Sequence, residues 1–321
     1  MASSKKELKR SLIAVVISLA VIYAIFKLTG EDVSTLAEAN PIYIGVAMLF
    51  HVFFWIFWAF RLKFLAETFN GNLSFPNSFK ITMSSMFFAA ITPSSAGGEP
   101  VRAYLLSKNG IGIGRATAII LIERLLDSIF FVTSLAILLS LTEFSLRLGF
   151  RVGFAFFVLL ILFLILLREL FKHPARVERA LDFLEKRISK RIYEKIEREV
   201  WNFREALVDV LRVSKVKIAA MFFLTALIWL SEFLVPSFVL LAFGKEPNYL
   251  LSVTSQAIIV VISLIPLTPG SSGISEGSFF YLYSQFVKGS LASVVAGWRV
   301  ITYLTNMVFG LLFSLKIKIN D

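Results

Sequence analysis

Thr92-Pro93-Ser94-Ser95-Ala96-Gly97-Gly98-Glu99-Pro100 cuts one apolar stretch, and Thr268-Pro269-Gly270-Ser271-Ser272-Gly273-Ile274-Ser275-Glu276-Gly277 cuts another. Proline withholds a backbone donor and glycine frees the chain to turn, so neither stretch continues an ordinary helix. At the first break the flanking arms, Phe79 to Ile91 and Val101 to Leu106, are both short for a hydrocarbon core of about 30 Å. Two half-helices joined this way read as a re-entrant hairpin. Such a hairpin is tolerated at membrane depth only where protein or a watery cavity satisfies the freed backbone groups.

The composition explains why membrane depth is the right frame. The 321 residues are 57% hydrophobic with a mean hydropathy of +0.78, and 33 of them are phenylalanine. A soluble domain is about 45–50% apolar, so the excess must face something other than water. There is no cysteine, which excludes disulfides, cysteine-bound zinc, iron–sulfur clusters and thiol catalysis. The two histidines, His51 and His173, have no partner at metal-ligand spacing, and we expect no metal and no cofactor. His51 reads as a helix-packing or interfacial residue. A net charge of +11 would suggest nucleic acid in a soluble protein. Here it reads instead as basic loops that hold the topology and touch anionic lipid, with no nucleic-acid partner.

Outward from the breaks, the chain divides into about six full spans. A basic start, Lys5-Lys6-Glu7-Leu8-Lys9-Arg10, precedes an apolar run from Ser11 to Leu28, read as an uncleaved first helix rather than a signal sequence. Pro41 opens a second span to about Phe60, whose edge of Trp55, Trp58, Arg61 and Lys63 reads as interfacial. Arg115 precedes a long helix from Ala116 to about Leu141, and a further span covers Val152 to Leu167, after a loop with Glu143, Arg147 and Arg151. Residues 168–217 carry 14 Lys/Arg against 9 Asp/Glu. Within them Val177, Leu181, Leu184, Ile188, Ile192, Ile196, Val200, Phe203, Leu207 and Leu211 recur at helical steps. This predicts a cytoplasmic amphipathic helix or helix pair that packs on the transmembrane body or lies on anionic lipid. The last spans run from Ile218 to Phe243, with Glu232 inside, and from Leu291 to Leu315, with Arg299 inside.

Thr92-Pro93 and Thr268-Pro269 lie 176 residues apart, and the same offset carries the spans at 41–66 and 116–141 onto 217–242 and 292–317. One transmembrane domain, 1–321, therefore reads as two units, about 41–141 and 218–318, each span, broken hairpin, span. Basic loops at 61–80, 108–115 and 168–217 put these segments and both termini on the cytoplasmic side of a multi-pass cell-membrane protein. The two units are then inverted. The fold class expected is all-α and polytopic, with two opposed re-entrant hairpins meeting near the midplane, an arrangement of transporters.

Charge inside a membrane is costly and by default marks function. Glu99, Arg102, Glu123, Arg124, Asp127, Glu232, Glu276 and Arg299 qualify. A half-helix N-terminus with Arg102, Arg124 and Arg299 nearby suits an anionic group such as phosphate. Glu99 and Glu276 would pair with these arginines or bind a cationic headgroup or a proton. The bland alternative is that all of them only fasten each hairpin to its neighbouring helix. With the break residues Thr92, Pro93, Gly97, Gly98, Thr268, Pro269, Gly270 and Gly273, these charges form the expected site.

Thr92 to Leu106, then Glu123-Arg124-Leu125-Leu126-Asp127, then Pro266 to Glu276 resemble the transmembrane region of lysylphosphatidylglycerol synthases and its stand-alone flippase-like relatives. The resemblance covers nearly the whole chain and implies a lipid-translocating domain. Ser94-Ser95 and Ser271-Ser272 stand where that family usually has glycines, and the soluble synthase domain is lacking, so aminoacyl transfer is not implied. The expected function is movement of a phosphate-bearing lipid, either a phospholipid or a polyprenyl-phosphate carrier. An intramembrane lipid-modifying enzyme and a secondary transporter of a small ion or solute are the alternatives. Membrane lipids are the expected partners, and self-association into a homo-oligomer is compatible with the pattern.

Overall fold

Pro41 begins its helix as expected: its missing N–H is no loss in the first turn, and Asn40 accepts the Ile42 N–H at 3.0 Å. Asn248 does the same for a later helix, taking the Leu251 N–H at 3.1 Å. Between such caps the apolar runs give long helices. The structure, a computed structural model, describes residues 2–92, 97–142, 146–172, 181, 190–210, 212–265 and 267–316. Pro93, Ser94, Ser95, Ala96, Glu143, His173, Pro266 and Lys318 lie outside them, as do Val177, Leu184, Ile188 and Leu211 of the amphipathic stripe.

Besides a short 3-10 helix (Val33–Glu38), eleven longer helices follow one another among the described residues: α1 (Ala2–Thr29), α2 (Pro41–Thr68), α3 (Phe75–Ala90), α4 (Gly98–Lys108), α5 (Ile113–Leu141), α6 (Leu146–Lys172), α7 (Lys190–Val210), α8 (Lys215–Ala242), α9 (Tyr249–Ser263), α10 (Ile274–Tyr283) and α11 (Leu291–Leu315). No strand occurs among those residues, so the all-helical class holds. Four helices, α2, α5, α8 and α11, are long and apolar enough to cross a membrane. Val16–Thr29, Gly149–Ile165 and Tyr249–Ser263 are shorter apolar stretches.

The surface is the inverse of a soluble protein's. Phe150, Phe154, Leu159, Leu162, Phe223, Leu312 and Leu315 point outward, while Arg61, Glu123 and Glu276 are fully buried. Apolar outside and charged inside is the pattern a lipid solvent selects.

The two centre helices, α2 and α8, run antiparallel. The Asn40 N–H donates to the Ala242 carbonyl at 2.8 Å at one end, and Arg61 reaches Thr225 at 2.9 Å toward the other. Helix α3 lies along α11, and α9 packs on both α5 and α8. At each break the two arms pack on one another, α3 with α4 and α9 with α10, so both breaks are helical hairpins. Helix α1 covers α10 and α11. Helix α7 packs on α5, where Glu199 accepts the Gly114 N–H at 2.7 Å. The amphipathic stripe thus buries Leu207 and half-buries Phe203 in a protein contact, while Ile192 stays exposed.

Three expectations need correction. Helix α2 continues past Phe60 to Thr68, so Arg61 is not an interfacial edge but an interior residue with none of its side chain exposed. The second arm of the first break begins at Gly98, which brings Glu99 and Pro100 into the helix. Arg115 lies inside α5, which starts at Ile113.

Close backbone approach explains the contact of α11 with α3. A Cβ added at Gly310 would lie 2.6 Å from the Met83 carbonyl and 2.8 Å from the Phe87 nitrogen, whereas one at Gly45 meets nothing within 4 Å. Gly310→Ala is therefore expected to destabilise by about 1–3 kcal/mol through overpacking, and Gly45→Ala to cost nothing. Thermal unfolding of the two purified variants checks this; equal midpoints would refute the α3–α11 contact.

Candidate functional site

Each Thr-Pro break is closed by its own threonine. Thr92 Oγ1 donates to the Phe88 carbonyl at 2.8 Å and accepts the Gly97 N–H at 2.8 Å, bridging the turn. Thr268 Oγ1 donates to the Ser272 carbonyl at 2.7 Å. The residues are short enough to fold back on the chain, which is the ordinary work of threonine at helix ends. Ser271 holds φ +53°, a left-handed conformation that glycine adopts freely, and its hydroxyl donates to the Ser263 carbonyl at 2.6 Å. The serine that departs from the glycine pattern is thus braced in a glycine-like turn.

The two breaks touch. The Gly270 N–H donates to the Thr92 carbonyl at 3.1 Å, and the Tyr303 hydroxyl donates to the Ala90 carbonyl at 3.1 Å. Gly270 itself sits at φ +55° with the Ala90 carbonyl 2.7 Å from where a Cβ would be, so a side chain would force the breaks apart.

Glu276 is a fastening group. It is fully buried, accepts the Gly273 N–H at 2.7 Å as the cap of α10, and takes Ser18 Oγ and Arg299 Nε at 2.9 Å each. Gly273 stands at φ +89°, which turns its N–H toward that carboxylate. The N-terminus of α10 is thereby already occupied by a negative charge.

A second cluster joins α2, α4, α5 and α8. Arg61 contacts Asp127 at 2.6 Å and Glu123 at 3.4 Å; Arg102 contacts Glu123 at 2.8 Å. Trp58 and Trp229 donate their indole N–H groups to Glu123 at 3.1 Å and to Asp127 at 2.9 Å. Both carboxylates are thus saturated by donors, which is what keeps them tolerable inside. Arg124 is different. It lies 3.4 Å from Glu99 and 3.3 Å from Asp127, yet Nε and Nη2 make no aligned hydrogen bond, and its side chain is 30% exposed. It stacks over Trp58 at 5.4 Å.

Between the halves lies a cavity of about 310 Å³. Gly98, Glu99, Arg102, Arg124, Gly270 and Arg299 of the expected residues line it. Thr92, Gly97, Glu123, Asp127, Thr268, Pro269, Gly273 and Glu276 do not line it. They brace the breaks or hold the arginines from behind. Pro93 lies outside the described residues. Trp58, Trp229, Trp298, Tyr303, Gln256, Asn306 and Glu232 line it as well, and Arg299 stacks over Tyr303 at 4.2 Å.

His51 is no mere packing residue: Nδ1 lies 2.7 Å from Glu232 Oε2, and Nε2 lies 3.2 Å from Asn306 Oδ1. A π turn over Val300–Leu304 follows Arg299 and shifts the register that presents Thr302 and Tyr303 to the cavity. Sequence periodicity carries no signal for such a turn. Glu232 was legible as a charge in an apolar helix; its partner, 181 residues distant, was not.

A family described as lysylphosphatidylglycerol synthase TM region matches residues 11–310. A UPF0104 membrane protein of Archaeoglobus fulgidus is 42% identical over 309 residues, which is 93% of this chain and 94% of the relative. Two UPF0104 membrane proteins of Methanothermobacter thermautotrophicus are 25% identical. One match covers 94% of this chain and 90% of the relative, the other 86% and 85%. The family match extends across both breaks and the helices around them.

Removing Arg61 would leave two buried carboxylates short of a partner. Arg61→Leu is expected to destabilise by about 3–5 kcal/mol, far more than Lys63→Leu, whose pair with Glu67 is partly exposed. Thermal unfolding in detergent or nanodiscs measures both; a loss below 1 kcal/mol at Arg61 would sink the account of the cluster.

Proposed function

Because the chain belongs to the family of lysylphosphatidylglycerol synthase transmembrane regions, we propose that it carries a phosphate-bearing lipid between the leaflets of the membrane. The lipid is a phospholipid or a polyprenyl-phosphate carrier. The observation that carries this reading is the cavity between the hairpins, where Arg102, Arg124 and Arg299 share a mixed wall with Glu99, Glu232 and a set of apolar and aromatic groups.

The headgroup enters that cavity and the tails stay in the bilayer. Arg124 is the arginine that meets the phosphate, because its ion pairs are long and unaligned. A charge-assisted hydrogen bond to phosphate contributes about 1.5–3 kcal/mol. Arg61 and Arg102 are already engaged by carboxylates and serve to hold the wall. Met86, Ile259, Val260 and Leu264 suit the first carbons of the lipid chains.

The topology that goes with this function has six spans, with both hairpins re-entrant and both termini cytoplasmic. At 1.5 Å per residue, α4 and α10 reach only about 15–17 Å, half a bilayer core. The antiparallel pairing of α2 with α8, the opening helices of the two units, supports their inversion. Access would alternate as the contacts Gly270–Thr92 and Tyr303–Ala90 open, each a net of about 1 kcal/mol.

Leaflet-resolved reporter lipids in proteoliposomes test this. The wild type is expected to move an anionic lipid faster than empty vesicles do. Arg124→Gln is expected to slow that movement tenfold or more while leaving thermal unfolding unchanged. Wild-type rates equal to those of empty vesicles across phospholipids and polyprenyl phosphates would overturn the proposal. Mass spectrometry of the same lipids separates translocation from modification, since only the latter yields a new product.

A further inference from the structure

Among the described charges around the cavity, four arginines (Arg61, Arg102, Arg124, Arg299) are matched by four carboxylates (Glu99, Glu123, Asp127, Glu276). Glu232 is a fifth carboxylate, and it is paired with a histidine. Arginine keeps its proton under all ordinary conditions, whereas histidine exchanges one in the physiological range. The only positive charge in this set that can leave is therefore the proton that His51 and Glu232 hold.

The hydrogen bonds around His51 say where that proton is. Trp55 Nε1 donates to Asn306 Oδ1 at 2.6 Å, and Asn306 Nδ2 donates to the Thr302 carbonyl at 2.6 Å. An indole is a donor only and a backbone carbonyl an acceptor only, so the amide cannot be turned the other way. Asn306 Oδ1 thus presents an acceptor to His51 Nε2 at 3.2 Å, and Nε2 must carry a hydrogen. The remaining contact, His51 Nδ1 to Glu232 Oε2 at 2.7 Å, then needs one proton between them. Imidazolium with carboxylate and imidazole with carboxylic acid both satisfy it. Without that proton a lone pair would face a carboxylate at hydrogen-bond distance, and the contact would break.

The surroundings give the pair an outlet. His51 is fully buried on α2, while Glu232 on α8 lines the cavity with 15% of its side chain exposed. Pro236 has no N–H to offer the Glu232 carbonyl four residues earlier, so α8 is locally freed at this turn. The ionisable groups facing the same cavity are Glu99 and Arg102 from α4, Arg124 from α5, and Arg299 and Tyr303 from α11; α3 and α9 line it with none. Glu123 and Asp127 of α5 stand behind Arg102, Arg61 and Arg124.

We propose that His51 and Glu232 form a proton-binding site of this cavity, and that a proton and an anionic headgroup occupy the cavity together. When the site is protonated the pair is neutral. On release the proton leaves through the Glu232 carboxyl, the member of the pair that lines the cavity, the imidazole keeps its Nε2 hydrogen, and Glu232 is left as an uncompensated negative charge. A phosphate in the same low-dielectric space disfavours that charge, so each ligand favours the other by linkage. The sense of coupling is co-transport, and it rests on the lipid-translocation reading above.

Three measurements on the full chain test it. The first is nitrogen-15 histidine NMR in nanodiscs on His173→Gln, which leaves His51 as the one imidazole. Nε2 is expected to stay protonated at every pH while the Nδ1 signal moves; a bare Nε2 overturns the assignment. In the second, phosphatidylglycerol added to protein in phosphatidylcholine nanodiscs, with a pH indicator, is expected to draw in about one proton per lipid bound. Glu232→Gln, which keeps a neutral hydrogen bond to His51, should abolish that uptake, and unchanged uptake overturns the site. In proteoliposomes a one-unit pH gradient is expected to bias lipid distribution up to about tenfold, the equivalent of one proton. Movement indifferent to the gradient overturns the coupling and leaves lipid translocation standing. Proton uptake without any lipid movement overturns translocation and leaves the proton site standing.

Discussion

An arginine deep in an apolar body has no water to meet its charge, so neighbouring helices must bring their carboxylates to it. Arg61 sets that requirement here. It lies on α2 with none of its side chain exposed, and Glu123, Asp127 and Thr225 reach it from α5 and α8. Arg102 of α4 is drawn in through Glu123, and two indoles fill the remaining acceptor positions. Taking away one partner exposes the others to desolvation without compensation, so the cluster behaves as a unit. The first hairpin is fastened to the centre pair by this unit.

The second hairpin is fastened by a different device with the same logic. Glu276 closes the N-terminus of α10, holds Arg299 and reaches Ser18 on α1. Each half thus pairs its own arginines with its own carboxylates, while Glu232 reaches across to His51. What passes between the breaks themselves is modest, a Gly270–Thr92 backbone hydrogen bond and the Tyr303 hydroxyl on Ala90. The halves are joined closely by α2 on α8 and by α3 along α11, and it is only between the breaks, at the junction itself, that the contact is light. The cavity, with its loosely held Arg124 and its histidine–glutamate pair, sits at that junction.

Some of this was readable from composition and order. Charges in apolar helices are rare enough that Glu99, Arg102, Arg124, Glu232 and Arg299 stood out, and all of them line the cavity. Glu276 stood out equally, but its role depends on the backbone of Gly273, whose φ of +89° no residue pattern records. Arg61 was misread for a physical reason: a basic residue just after two tryptophans matches an interfacial anchor. Helix α2 runs on to Thr68, and α5 and α8 lie against it there. The polar partners of His51 were not legible because a single histidine gains them only from packing, and they lie on α8 and α11.

The Thr-Pro breaks, the apolar runs and the matched spacing follow from local chemistry, since proline, glycine and apolar length act on the chain where they stand. The sequence by itself therefore determined an all-helical membrane protein with two interrupted helices and a set of interior charges. It could not determine how those charges divide. Whether a buried group is saturated or open depends on donors and acceptors contributed by helices far apart in the chain. That division was decided by the packing of α2 against α8 and of each hairpin against its neighbours, which made Glu123, Asp127 and Glu276 fasteners and left Arg124 and Glu232 facing the cavity.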